Sequence, residues 1–189
     1  MKTVSPDDAA EVLRGGGVAL VPTETVVGLV AAEAGRLNEI KGSDPGKPIA
    51  LLCASAERAF ELAANASSLA ELLAERYWPG PLTLVLDGID GRSVGVRVPA
   101  DSAVRKVLEA YGEPLYATSA NPSGELAPKG LEGVEPKVYE AVDVMVEGDP
   151  GSGEASAVVD LSGGRARLLR ATEKLSKEEL TRLVAVDEG

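Results

Sequence analysis

Histidine is absent from the sequence, and cysteine occurs once, at Cys53. Without imidazole there is no Ser-His-Asp triad, no histidine general base and no zinc site built on histidine, and a lone thiol does not replace them. Cys53 also has no partner for an internal disulfide, which points to a reducing, cytoplasmic compartment. It ends the apolar run Pro48–Cys53, so a buried, inert thiol is expected there rather than a nucleophile. Aromatic residues are scarce: one Phe, one Trp and four Tyr leave the core to Val, Leu, Ile and Ala. Few rings then remain for stacking nucleic-acid bases. No apolar run approaches the ~20 residues of a membrane-spanning helix. The opening Met1-Lys2-Thr3-Val4-Ser5-Pro6 lacks the basic-then-apolar order of a secretory signal. Basic charge is the last shortage. Nineteen Lys and Arg against 30 Asp and Glu give a net charge of −11, which repels nucleic-acid backbones in general but permits a local basic pocket.

What is present fits one domain over residues 1–189, a length within the usual range for a single core. Ser5-Pro6 before Asp7-Asp8 is a cap, a first-turn proline and two acids at the positive end of a helix, and Gly15-Gly16-Gly17 stops it. Short apolar runs bounded by Gly or Pro predict strands at 18–21, 48–53, 82–86, 94–98, 114–118, 142–146 and 157–161. Helical patterns lie between many of them, at 56–64, 67–77 and 102–111, and Ser176-Lys177-Glu178-Glu179 opens a last helix as a capping box. Strands interleaved with helices predict an α/β fold with parallel pairs. The runs at 82–86 and 94–98, joined by an Asp/Gly-rich turn, predict an antiparallel hairpin. The sheet is therefore expected to be mixed.

Four segments place polar residues where a plain core would not. Pro22-Thr23-Glu24-Thr25-Val26-Val27-Gly28-Leu29 follows a buried strand as one segment, so its hydroxyls and carboxylate either orient a ligand or satisfy local backbone groups. Lys41 and Lys47 lie in a Gly/Pro-rich turn that either meets phosphate oxygens or is solvated; it is not a Walker A loop. Ser119 and Asn121 are two apart and share a face if the chain is extended there, although Asn-Pro and Ser-Gly also favour turns. Arg97, Ser156 and Arg170 flank apolar strands, and each arginine there needs an anion, water or an acidic partner.

In this order the segments resemble the YrdC-like family, the threonylcarbamoyl-AMP synthases. The resemblance runs from about Val18 to Arg170 and rests on six marks. They are Pro-Thr-Glu-Thr at 22–25, Lys41 with Lys47-Pro48, Tyr77-Trp78-Pro79-Gly80-Pro81-Leu82-Thr83, Val96-Arg97-Val98-Pro99, Ser119-Ala120-Asn121-Pro122-Ser123-Gly124, and Ser156 with Val158-Val159-Asp160. It implies a twisted, open, mixed α/β sheet with helices packed around it and a large concave cavity. It implies a nucleotidyltransferase that joins L-threonine, bicarbonate and ATP for tRNA modification, with Mg2+ carried on the ATP and no protein-bound metal. By the same resemblance Lys41, Ser119 and Asn121 are catalytic, Thr25, Arg97 and Ser156 bind the amino acid, and Lys47, Ser119 and Arg170 bind the nucleotide.

The chain also departs from the family pattern. Ser43 stands where Lys-x-Arg has its arginine, and Val27 where a tyrosine is usual. Val30 ends the Gly-Leu-Gly, Ala127 and Ala157 replace hydroxyl residues, and the stretch from Thr25 to Lys41 is shortened. These changes are expected to fall on the cavity. Two other readings therefore stand beside the enzyme: a non-catalytic nucleotide or amino-acid binder of the same fold, and a double-stranded-RNA-binding module.

Overall fold

The computed structural model describes residues 2–187. After strand β1 (Lys2–Val4), the hydroxyl of Ser5 accepts from the amide of Asp8 at 3.2 Å and opens α1 (Pro6–Arg14). That is the cap read from Ser5-Pro6. Strand β2 (Val18–Val21) pairs antiparallel with β3 (Gly28–Ala31), so Pro22–Val27 is the loop of a hairpin. Residues 28–31 are buried throughout, which corrects the sequence reading of 22–29 as one polar segment. The polar part ends at Thr25.

Helix α2 (Ala34–Lys41) ends at Gly42, whose φ of 60° supplies the left-handed turn that a side chain disfavours. Next come β4 (Ala50–Leu52), α3 (Ala56–Phe60), α4 (Ser68–Tyr77), β5 (Leu82–Asp87) and β6 (Ser93–Arg97). Then follow α5 (Ser102–Tyr111), β7 (Leu115–Ser119), α6 (Pro136–Glu140), β8 (Val144–Val146), β9 (Ala157–Asp160), β10 (Arg167–Arg170) and α7 (Lys177–Asp187). Helix α3 stops short of the expected residue 64. Past Phe60 the chain leaves the helix to bond the β5–β6 turn, with Ala64 N donating to Asp87 O at 2.8 Å and Ile89 N to Leu62 O at 3.1 Å.

The ten strands form one sheet in the order β1-β8-β2-β3-β7-β4-β6-β5-β9-β10. The pairs β1/β8, β2/β8, β4/β6 and β5/β9 are parallel; β2/β3, β3/β7, β4/β7, β5/β6 and β9/β10 are antiparallel. The sheet is mixed and open, and the β5–β6 hairpin is present.

Alternation along β2 shows how the sheet is covered. Ala19 and Val21 pack with Leu13 of α1 and Val104 and Leu108 of α5. Val18 and Leu20 point the other way and pack with Leu37 of α2 and Val138 of α6. Both faces are therefore buried here, which is why the strand reads as a continuous apolar run. At the other end of the order, Leu84, Val96 and Val159 pack with Leu73 of α4 and Leu180 and Leu183 of α7. Among the described residues no helix is long and apolar enough to cross a membrane.

Candidate functional site

A cavity of about 670 Å³ is walled by β3, β4, β5, β6, β7, β9 and β10 and by the loops after β2, α2 and β7. All eight residues singled out in the sequence line it: Thr25, Lys41, Lys47, Arg97, Ser119, Asn121, Ser156 and Arg170. Its charge is opposite to that of the chain. Five cations face it, Lys41, Lys47, Arg97, Arg167 and Arg170, against one acid, Asp160.

Lys41 ends α2 and is 8% exposed. Its Nζ donates to the carbonyls of Ser119 at 2.6 Å and Asn121 at 2.5 Å, with Ser119 Oγ and Asn121 Oδ1 at 3.5 and 3.4 Å. The carbonyl of Lys41 accepts from Ser123 N at 3.1 Å, so helix and turn are tied in both directions. Burial, and then the like charge of Lys47, push the Lys41 ammonium down to about 8. Neither lysine has an acidic partner among the described residues. Asn121 uses its amide hydrogens on its own turn, donating to Pro122 O at 2.9 Å and Glu125 O at 2.7 Å. Its place in the cavity is as expected, but its amide shapes the loop.

A second group gathers around Arg97 at the end of β6. Its Nη2 is bonded to Glu24 Oε1 at 2.6 Å and Thr25 Oγ1 at 3.2 Å, and its Nε to the carbonyl of Gly80 at 3.2 Å. Gly80 N in turn donates to Val98 O at 2.8 Å, so the Trp-Pro-Gly-Pro segment serves to aim this arginine. Nη1 has no hydrogen-bond partner among the described residues. Burial would raise the Glu24 carboxyl, but the charge and hydrogen bond of Arg97 outweigh it and hold the group below its usual value. Thr23 and Thr25 pair through their hydroxyls at 2.8 Å, and Thr83 and Ser156 do the same at 2.9 Å. Arg170 donates from Nε to Ser156 O at 2.5 Å. Its pKa is lowered by burial and by the nearby charge of Arg97, and no acid among the described residues pairs with it.

Arg167 is different, because Asp160 neutralises it, and Ser162 also binds that carboxylate through N at 2.9 Å and Oγ at 2.6 Å. Three cations therefore remain uncompensated: Lys41, Lys47 and Arg170. Of the hydroxyls and carboxylate read as possible ligand contacts at 22–25, Thr23 and Thr25 line the wall and Glu24 stands behind it on Arg97. Sequence reasoning did not name Thr83 or the Asp160–Arg167 pair as parts of the wall. Thr83 and Asp160 lay inside quoted motifs, whereas nothing in the sequence marked Arg167. The lone cavity acid is already engaged, and no three His, Cys, Asp or Glu converge among the described residues.

The departures from the family pattern fall elsewhere than expected. Ser43, Val27, Ala127 and Ala157 do not line the cavity. Val27 and Ala157 are core residues, and Ser43 is half-buried with an enclosed Oγ that has no hydrogen-bond partner among the described residues. Cys53 is buried, and burial pushes its thiol up to about 12, as an inert thiol requires.

A family model named for Sua5, YciO and YrdC and described as telomere recombination matches residues 11–172. The threonylcarbamoyl-AMP synthase of Pyrococcus abyssi is 36% identical over 179 residues, which cover 86% of this chain and 52% of that protein. The enzyme of the same name from Marinobacter nauticus is 30% identical, over 83% of this chain and 91% of its own. The crystal structure of Pyrococcus abyssi Sua5 complexed with L-threonine superposes with a TM-score of 0.86 at 33% identity, covering 95% of this chain and 57% of that one. The chain thus spans about half the length of the Pyrococcus relative and nearly all of the Marinobacter one. On the family match, the identities and the fold together, this chain belongs to the Sua5/YciO/YrdC family.

Proposed function

We propose that the chain makes threonylcarbamoyl-AMP from L-threonine, bicarbonate and ATP, releasing pyrophosphate, as a cytoplasmic step toward tRNA modification. The observation that carries this reading is the cavity's charge: three uncompensated cations in a chain of net charge −11. Like charges gathered around one cavity, as Lys47 beside Lys41 and Arg97 beside Arg170, disfavour one another unless an anion joins them, and a triphosphate is such an anion. Relatives named for this activity support the choice of substrates.

In the chemistry proposed, the amine of threonine forms a carbamate with bicarbonate, losing water. A carbamate oxygen attacks the α-phosphorus of ATP, and the bond to the pyrophosphate oxygen breaks. No step needs a protein nucleophile or imidazole, in keeping with a chain that lacks histidine. The protein's part is to position and to neutralise charge. Lys41, Lys47 and Arg170 face the phosphates; Thr25, Ser156 and the open Nη1 of Arg97 face the amino acid. Mg2+, if used, arrives on the phosphate oxygens, which needs no protein cage.

The non-catalytic reading drew its support from losses in the cavity, and those losses lie outside its wall. The test is an assay of threonine- and bicarbonate-dependent pyrophosphate release from ATP, with the adenylate identified by mass. ATP binding without pyrophosphate release would sink the enzyme and leave the binder.

A further inference from the structure

Residues 149–154 contribute nothing to the cavity wall, yet they press on the segment that does. Two successive amides cross to it, Ser152 N donating to Glu24 O at 3.0 Å and Gly153 N to Thr25 O at 2.7 Å, while Gly151 N donates to Lys129 O at 2.9 Å. The approach is closest at Gly151. A Cβ there would lie 2.4 Å from the carbonyl oxygen of Thr25 and 2.5 Å from that of Thr23. Those are backbone atoms, and they do not swing aside as a flexible side chain does. The two threonines they belong to share the 2.8 Å hydroxyl pair, and Thr25 Oγ1 accepts from Arg97. Two residues beyond the strap, the same strand of chain enters the cavity at Ala155 and Ser156.

We propose that Gly151 is a positioning residue for the amino-acid subsite: its missing side chain lets the 151–153 strap seat Thr23–Thr25 against Arg97. This rests on the reading of Thr25 and Arg97 as amino-acid contacts. Any side chain at 151 displaces the Thr23 and Thr25 carbonyls and carries the hydroxyl pair out of line with the guanidinium. Among the described residues no hydrogen bond joins the strap to Lys41, Lys47 or Ser119, so that part of the cavity is expected to keep its geometry. Loss of the glycine therefore separates the two ligands.

The experiment compares Gly151→Ala with Gly112→Ala. Gly112, at φ 89° and with open space around it, ends α5, so alanine there strains the fold without touching Thr25. Calorimetric titration of Gly151→Ala is expected to show threonine affinity lowered at least ~10-fold, about 1.4 kcal/mol, with Mg·ATP affinity retained. Gly112→Ala keeps both. Equal loss of both ligands, or unchanged threonine affinity, would overturn the proposal. A second arm needs no amino-acid binding: the methyl resonances of Thr23 and Thr25 in the ligand-free protein move in Gly151→Ala and stay in Gly112→Ala. If wild type binds no threonine, the amino-acid reading fails, and the methyl shifts still decide whether Gly151 seats Thr25. If Gly151→Ala does not fold, hydrogen exchange on wild type decides. The amides of Ser152 and Gly153 are protected, and threonine slows them further; exchange at free-peptide rates would overturn the strap.

Discussion

The sequence places Lys41 in a turn that either meets phosphate or is solvated; the structure ends α2 on it and gives its ammonium two short bonds to the Ser119 and Asn121 carbonyls. Removing the ammonium therefore leaves the Asn121 carbonyl unpaired, while the Ser119 carbonyl keeps the amide of Asn121 at 2.9 Å, at a cost of about 1–3 kcal/mol. Lys41→Met is expected to lower stability by that amount as well as weaken ATP binding. Lys47→Ala, at an exposed position, should stay within about 0.5 kcal/mol of wild type while also losing ATP affinity. Paired urea melts and titrations check both, and a Lys41→Met protein of unchanged stability would refute the tie. The lowered pKa of Lys41, about 8, adds a pH dependence. Between about 8 and the ordinary lysine value of 10.5 the unfolded chain holds more protons than the native one. This group's contribution therefore makes the ligand-free protein more stable as pH rises through that window. Nucleotide binding has the opposite sign, because a phosphate needs the charged ammonium. ATP affinity should fall above pH 8, with proton uptake on binding that Lys41→Met abolishes.

The elements were legible where local chemistry speaks for itself. Caps at Ser5 and Ser176, the glycine stop after α1 and the β5–β6 hairpin all appear where the sequence put them. Strands β1, β3 and β10 were not among the predicted strands: β1 is three residues of mixed polarity, β3 follows directly on the polar loop, and β10 is largely exposed with an arginine at each end. The length of α3 failed for a different reason, since the bonds of residues 62–64 to the β5–β6 turn are made across the fold. Pairing order was beyond reach, because β7 lies between β3 and β4 only once the sheet is assembled. Asp101 shows how an element end reaches the cavity. It caps α5 by accepting from Ala103 N at 2.7 Å, and its own amide donates to Glu24 Oε2 at 3.3 Å. Asp101→Ala should cost about 1 kcal/mol, whereas Asp101→Asn keeps the cap and most of the stability. Denaturant midpoints distinguish the two, and equal losses would mean that the cap's charge matters more than its hydrogen bond.

Charge is distributed so that the chain and its cavity oppose each other. Among the described residues every acid except Asp160 lies outside the wall, and Lys41, Lys47 and Arg170 lie within it without an acidic partner. Composition showed the first half; the second depends on strands from both ends of the chain meeting at one concave surface. Such a field favours a compact polyanion that fits inside over a long one that must cross the acidic exterior. Binding of a ligand to the folded state alone raises stability by RT ln(1 + [L]/Kd), about 2.7 kcal/mol at ~100 times Kd. Mg·ATP should therefore raise the melting temperature in a dose-dependent way. Threonine should add to the shift, and leucine, which lacks the hydroxyl that Thr25 and Ser156 would meet, should add less. Duplex RNA should give no shift at physiological salt, because each phosphate outside the cavity meets repulsion rather than a counterion-releasing lysine. The discriminating measurement is one melting series with ATP, ATP plus threonine, and duplex RNA at two salt concentrations. A salt-sensitive RNA shift with none from ATP would reverse the assignment, since the same three cations would then serve a backbone running past the cavity instead of a triphosphate held within it.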